Sequence, residues 1–393
     1  MAHRGKLGFV PPRYGREVVG GAEAILRDAA HGLAARGYEV EVLTSCVRDH
    51  YTWRDEYEPG SSRDGDVTVR RFPGVVSDRS ERFRYESAIH AGHKLSLAEQ
   101  QEWMNDDFRS PELFHYLLRH RREFRGLFFA PYMFWSTFAC SQVAPERTVL
   151  VPCLHDEPYA RLEIFRPEFS GPRGMLFLSD PEAAVARRLF SLPARQAITG
   201  AGVHVPARYD PEGFRQRHDI TDPFVLYAGR REGGKGWELL LEAFARAVHV
   251  HDLPFKFVTM GTGPVHPPAE IADRVVDLGF APARDRDDAF AAADVYIQPS
   301  AYESFSLTVM EAWLAGTLVV ANAASEVVSW HCERSGAGLT YRNGLELGQC
   351  LSFAAEAPDV AASLASRGRE YVLENYTWDA VLDRMETAVE EWL

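Results

Sequence analysis

Short apolar runs recur along the chain, bounded by turn-forming residues and separated by stretches with helical spacing. Residues 6–11 read as a strand feeding a loop. Residues 22–36 carry Ile25, Ala29, Leu33 and Ala34 on one helical side, with Gly37 placed as a C-cap. Residues 39–44 form the next strand, and a strand–helix–strand unit of this length predicts a parallel sheet. Residues 49–66 are polar and rich in turn formers, the pattern of a surface loop, while residues 67–72 form a further strand. Residues 78–125 have helical but poorly ordered spacing. Short apolar runs at 127–130, 149–153, 175–178 and 196–199 extend the same sheet.

The pattern breaks at 202–223, where Pro206, Pro211, Gly213 and Pro223 stand among charged residues and predict a linker. Strand-like runs then restart at 224–228, 255–260, 275–279, 295–298 and 318–321, with helical patterns at 237–250, 286–293 and 307–315 between them. A last amphipathic stretch, 377–392, spaces Leu382, Met385, Val389 and Trp392 for one helical face. The expected architecture is two parallel-sheet α/β domains of similar size. Ligands of such sheets bind beyond the carboxyl ends of the strands, so two domains facing each other would enclose a deep cleft.

Composition narrows the choice. A length of 393 residues suffices for two or three cores, and 46% apolar with 25% charged residues is the balance of a folded globular protein. The formal net charge of -13 provides no general footprint for nucleic acid or an anionic membrane. The one dense basic run, Arg119, Arg121, Arg122 and Arg125, fits a solvated helix face, with an anionic partner as its alternative. Five scattered cysteines, at 46, 140, 153, 332 and 350, show neither a CxxC pair nor zinc-ligand spacing and suit a reducing compartment. Residues 1–13 lack the apolar core of a signal peptide, and no apolar run is long enough to span a bilayer. These features predict a cytoplasmic location.

Four segments could carry chemistry. Residues 11–23, PPRYGREVVGGAE, follow the first strand, and Gly20-Gly21 allows close backbone approach at a helix start, as a ligand loop or a tight turn. Residues 229–236, GRREGGKG, set Arg230, Arg231 and Lys235 among glycines, suited to a pyrophosphate or to a charged surface turn. This loop lacks the Ser or Thr with which a Walker A loop holds magnesium. Residues 299–311 place Glu303 before a helix and Glu311 two turns into it, about 12 Å apart if all is helical. That exceeds the ~5 to 9.5 Å of paired acid/base carboxylates and suits two hydroxyl-rich parts of one ligand, such as a sugar and a ribose. The plain alternative makes Glu303 a charge complement to the helix N-terminus and Glu311 a solvated residue. Finally, His155, Asp156 and Glu157 follow a strand, where the histidine is a structural group, a ligand contact or a proton carrier. Asp64-Gly65-Asp66 and Asp285-Arg286-Asp287 have the form of a metal-diphosphate motif, but read better as a polar loop and a helix cap.

Taken in order, these segments resemble glycosyltransferase family 4, retaining enzymes with the GT-B double-Rossmann fold. ESFSLTVMEAWLAG, residues 303–316, resembles the family's ExFxxxxxEAxxxG segment. GRREGGKG resembles its GRxxxxKG loop, and residues 11–23 its N-terminal acceptor and phosphate loop. Two departures stand out: Thr317 where family members often carry Pro, and the extra Arg231, which leaves open which arginine meets phosphate.

The resemblance implies that Gly20 and Gly21 face donor phosphates and acceptor, while Arg230 and Lys235 hold the diphosphate. It gives the ribose hydroxyls to Glu311 and the donor sugar to Glu303 and His155, with the Phe305, Ser306 and Leu307 backbone near the distal phosphate. Gly261 and Gly263 resemble the family's short glycine turn. The implied catalytic set is His155, Glu303, Arg230 and Lys235, with no tightly bound cofactor and no metal. The donor would be a nucleoside-diphosphate sugar, UDP or GDP ahead of other bases, and the acceptor a hydroxyl on a saccharide, lipid-linked saccharide or small metabolite. Nucleic acid is not an expected partner, peripheral membrane contact stays open, and the chain would be a monomer or homodimer. Polysaccharide and natural-product pathways both fit. The implied domains are an acceptor-side Rossmann-like domain at 1–205, a linker at 206–223, a nucleotide-sugar domain at 224–376, and a helix at 377–393 crossing back to the first domain. An epimerase or hydrolase of the same fold is the alternative, followed by a non-catalytic sugar-nucleotide-binding protein.

Overall fold

The computed structural model describes residues 4–393, so the first three residues of the stretch read for a signal peptide lie outside it. The chain divides into two units, Met1–Gly202 with Trp378–Leu393, and Val203–Thr377. Each is built on a largely parallel sheet, whose central strands are buried on both faces and take helical cover on either side.

The first unit holds eight strands: β1 (Lys6–Val10), β2 (Glu39–Ser45), β3 (Gly60–Asp64), β4 (Val67–Phe72), β5 (Gly126–Phe129), β6 (Thr148–Leu150), β7 (Gly174–Phe177) and β8 (Gln196–Ile198). Their order is β3-β4-β2-β1-β5-β6-β7-β8, parallel except for the β3–β4 pair. That hairpin corrects the expectation of a loop over 49–66. β3 reads GSSRD and is mostly exposed, so no apolar alternation marks it. Its signal is the Asp64-Gly65 turn, with Gly65 in the left-handed region. Residues 78–125 contain three helices, Ser80–His90, Leu97–Asn105 and Pro111–His120, the second opened by a Ser96/Glu99 capping box.

The second unit holds β9 (Phe224–Ala228), β10 (Lys256–Met260), β11 (Val275–Asp277), β12 (Val295–Gln298), β13 (Leu318–Asn322) and β14 (Leu339–Tyr341) in the order β11-β10-β9-β12-β13-β14. All neighbours are parallel. The stretch 206–223 belongs to this unit and contains the helix Pro211–Arg217. Asp210 caps it, Phe214 is fully buried, and Arg217 meets Asp285 and Asp288 at 3.0 and 2.8 Å. Pro211 marks the start of this helix.

The last helix, Trp378–Trp392, is part of the first unit. Its apolar face is received where side chains are missing: a Cβ on Gly32, Gly174 or Gly126 would lie 2.4, 2.4 or 2.3 Å from Leu382, Trp392 or Leu393. Its polar face pairs with Arg36 through Asp383 and Glu386 at 2.7 and 2.9 Å, and with Arg125 through Glu390 at 2.9 Å. Arg125 is thereby tied to the protein itself. No helix among the described residues is long and apolar enough to cross a membrane.

Trp392 packs directly on Gly174 in this seam, and its loss leaves a void there. Trp392→Ala is expected to cost about 3 kcal/mol, read as a lower urea midpoint. Gly174→Ala, which overpacks the same place, is expected to cost about 1–3 kcal/mol.

Candidate functional site

In the second sheet the strand order reverses between β9 and β12. Loops leaving adjacent strands at such a point diverge and open a crevice at the carboxyl ends. Those loops are residues 229–236 and 299–306, two of the segments singled out in the sequence.

Lys235 ends a short 3-10 turn, Gly233–Lys235, and its Nζ reaches Glu303 Oε1 at 2.9 Å. The two side chains are 28% and 12% exposed, so this charge-assisted bond spans the fork under partial cover. Arg230 Nη1 lies 3.1 Å from Glu232 Oε1, and the Arg230 carbonyl accepts the Tyr227 hydroxyl at 2.6 Å. Arg231 turns inward and is 2% exposed. It pairs with Asp277, donates from Nε to Thr259 Oγ1 at 3.1 Å, and donates from Nη1 to the Gly263 carbonyl at 2.9 Å. Its donors are committed inside the unit, which leaves Arg230 as the arginine with its guanidinium at the loop surface.

Gly261 and Gly263 bring the turn after β10 against the loop after β9. A Cβ on Gly261 would sit 1.8 Å from the Gly229 carbonyl oxygen, and one on Gly263 would sit 2.8 Å from that of Arg231. The approach is sealed by Gly229 N–H donating to the Met260 carbonyl at 2.9 Å and Arg231 N–H to that of Thr262 at 2.8 Å.

The helix Leu307–Ala315 begins beyond Ser306, which has φ +73, a left-handed conformation costly for a residue with a side chain. Its Oγ accepts Gln298 Nε2 at 2.7 Å and does not cap the helix, so the first-turn amides carry no side-chain cap. Phe305 is buried, edge-on to His331 and Tyr376.

Glu311 is not the solvated helix residue of the plain alternative. Arg286 Nη2 holds its Oε1 at 2.8 Å, and its Oε2 is buried with no hydrogen-bond partner. Burial pushes the Glu311 carboxyl up, against the pull of Arg286. The Asp285-Arg286-Asp287 run likewise departs from the expected cap. Pro282 is the N-cap of the helix Ala283–Ala292 and makes no side-chain cap bond; Asp285 pairs with Arg217 at 3.0 Å and Arg286 with Glu311.

The remaining candidates lie in the first unit. Gly20 precedes the helix Gly21–Ala35. A Cβ there would meet Glu23 Oε2 at 2.1 Å, because Glu23 folds back over the helix start to pair with buried Arg13. Gly21 faces open space within 4 Å. His155, 27% exposed, has Nδ1 3.7 Å from Glu157 Oε1, which also accepts the Tyr132 hydroxyl at 2.8 Å. Buried Glu182 organises this loop by accepting the Leu154 and Leu178 N–H groups at 2.7 and 2.5 Å. Burial pushes its carboxyl up to about 8 against those donors. The structure thus brings Lys235 to Glu303, joins the 229–231 and 261–263 loops, and keeps Gly20, Gly21 and His155 in their own unit. Sequence reasoning missed Arg286, Arg231's inward role and Glu182. Arg286 sits in a motif examined for metal binding, and the others carry no local signal.

Arg231→Ala is expected to destabilise the second unit by about 2 kcal/mol, since it empties a packed site and removes the donors to Thr259 and the Gly263 carbonyl. Arg230→Ala is expected to change stability by only about 0.5 kcal/mol. Chemical denaturation of both variants distinguishes the two arginines.

Residues 222–345 match the family described as glycosyl transferases group 1. The D-inositol 3-phosphate glycosyltransferase of Saccharomonospora viridis is 30% identical over 94% of this chain and 89% of its own length. An uncharacterized glycosyltransferase of Methanocaldococcus jannaschii is 26% identical over 43% of this chain, which spans only 45% of that relative. Among solved structures, sucrose-phosphate synthase from Thermosynechococcus elongatus superimposes with a TM-score of 0.75 at 18% identity, covering 98% of both chains. Anabaena HepE, solved with UDP and glucose, superimposes with a TM-score of 0.69 at 16% identity over 98% of this chain and 99% of its own. Two parallel-sheet units, the matched segment and a relative aligned along nearly the whole chain lead to one conclusion: this protein belongs to the group 1 glycosyltransferases of GT-B fold.

Proposed function

We propose that the chain is a family 4 enzyme acting in the cytoplasm, which transfers a sugar with retention from a UDP- or GDP-sugar to an acceptor hydroxyl, without a metal. The observation that carries this reading is the Lys235–Glu303 pair at 2.9 Å beside the uncapped start of the helix Leu307–Ala315. An ammonium, a carboxylate and a helix start without a side-chain cap at one strand fork match the two ends of a sugar diphosphate. Glu303 would accept hydroxyls of the sugar, while Lys235, Arg230 and the amides near Ser306 would meet the diphosphate. Glu311 would accept the ribose hydroxyls. The UDP and glucose held by Anabaena HepE, a protein of the same fold, agree with this donor class.

The chemistry follows from where charge develops. As the bond from the sugar's anomeric carbon to phosphate breaks, negative charge grows on the diphosphate, and fixed cations and amides stabilise it there. Front-face substitution then retains configuration: the acceptor oxygen bonds to the anomeric carbon and its proton passes to the departing phosphate oxygen. His155 would orient the donor sugar. Five free cysteines support the reducing compartment.

The test begins with thermal unfolding against a panel of nucleoside diphosphates, in which UDP or GDP should raise Tm the most. In Arg230→Ala/Lys235→Ala that rise should vanish and turnover should fall about a hundredfold or more, with the unliganded protein still folded. Near-normal turnover would remove the diphosphate assignment. For His155→Ala, the donor-dependent rate should drop about tenfold or more while nucleoside diphosphate binding holds.

A further inference from the structure

Glu311 stands in an unusual setting. Its carboxylate sits two turns into the helix Leu307–Ala315 with 19% of the side chain exposed, one oxygen on Arg286 and the other buried without a partner. A carboxylate so placed is either stabilised by a cation or protonated. Arg286 reaches it from the neighbouring helix Ala283–Ala292.

We propose that Arg286 is a positioning residue for the nucleotide: by holding Glu311 Oε1 at 2.8 Å it fixes the charge and orientation of the carboxylate that would meet the donor's ribose hydroxyls. The inference rests on the donor reading above and adds a residue to it. A planar guanidinium fixes both charge and orientation of its partner, where an ammonium supplies charge alone. The other groups facing this site are Asp287 on Arg286's own helix, His204 and Tyr209 from the segment before the helix Pro211–Arg217, Tyr296 from β12, and Arg369 from the helix Pro358–Asn375 beside Tyr209. Asp287, itself pushed up by burial, opposes a second negative charge, whereas His204 and Arg286 favour it. Without Arg286 the balance of burial and Asp287 drives Glu311 toward its neutral form, which is the poorer acceptor for a hydroxyl.

The sign follows directly. In wild type the carboxylate persists to lower pH than in Arg286→Gln, so the variant's defect should be largest in acid and shrink as pH rises.

The experiment measures binding of UDP and GDP to the full chain by calorimetry, then repeats it with the 2′,3′-dideoxy form of whichever binds, from about pH 5.5 to 8.5. Wild type should prefer the ribose form by about tenfold or more, the scale of hydrogen bonds to a charged group. In Arg286→Gln the preference should be weakest at the acid end of the range and recover as pH rises. Arg286→Lys should keep the wild-type pH profile with a reduced preference. A merely structural role would weaken ribose and dideoxy forms equally at every pH, and that result overturns the inference. So does an Arg286→Gln protein with the wild-type preference and profile. Glu311→Gln separates the two levels: if it abolishes the preference while Arg286→Gln does not, the donor reading stands and the role of Arg286 falls. If wild type binds neither nucleotide, both fall.

Discussion

The contact between Lys235 and Glu303 depends on a feature of parallel sheets rather than of either residue. Strands that leave a sheet on opposite sides of a reversal send their loops to different faces, and the fork between them has no backbone of its own to fill it. At the β9/β12 fork two partly covered side chains of opposite charge meet at 2.9 Å. Each charge there needs a partner, and in the unliganded protein each supplies the other. In the proposed reading, the diphosphate and sugar of the donor would replace both halves of that bond.

Much of the surrounding structure serves to hold the two loops at the fork. Gly261 lets backbone lie on backbone at Gly229, and Arg231 gives up any surface role to bind Asp277, Thr259 and the Gly263 carbonyl. Ser306 accepts a left-handed backbone and yields its hydroxyl to Gln298, leaving the helix amides without a side-chain cap. Local stability is surrendered where chemistry is expected, the usual mark of a functional loop.

The first unit holds its loops by another means, buried carboxylates. Glu23 folds over the start of its helix onto Arg13, and Glu182 gathers the N–H groups of two loops that follow β6 and β7. The last helix completes this unit through glycines that leave room for Leu382, Trp392 and Leu393. These contacts join residues more than 200 apart in sequence, such as Arg173 Nε donating to the Trp392 carbonyl at 2.7 Å.

Alternating apolar runs and helical spacings were enough to mark most strands of both sheets and the helix Leu307–Ala315 at its observed bounds, because burial of a strand or helix face imposes a period on the chain itself. Local pattern also placed Arg230, Lys235, Glu303 and Glu311 beyond strand ends. It failed where the period is absent or misleading: β3 is polar and exposed, and residues 206–223 look like a tether yet fold around Phe214. Partnership was decided by tertiary structure alone. Lys235 and Glu303 are 68 residues apart, and nothing near either names the other. The same holds for Arg286 with Glu311 and for Arg231 with Asp277, since which of several charges turns inward depends on the packing of separate strands and helices, and no local period records it.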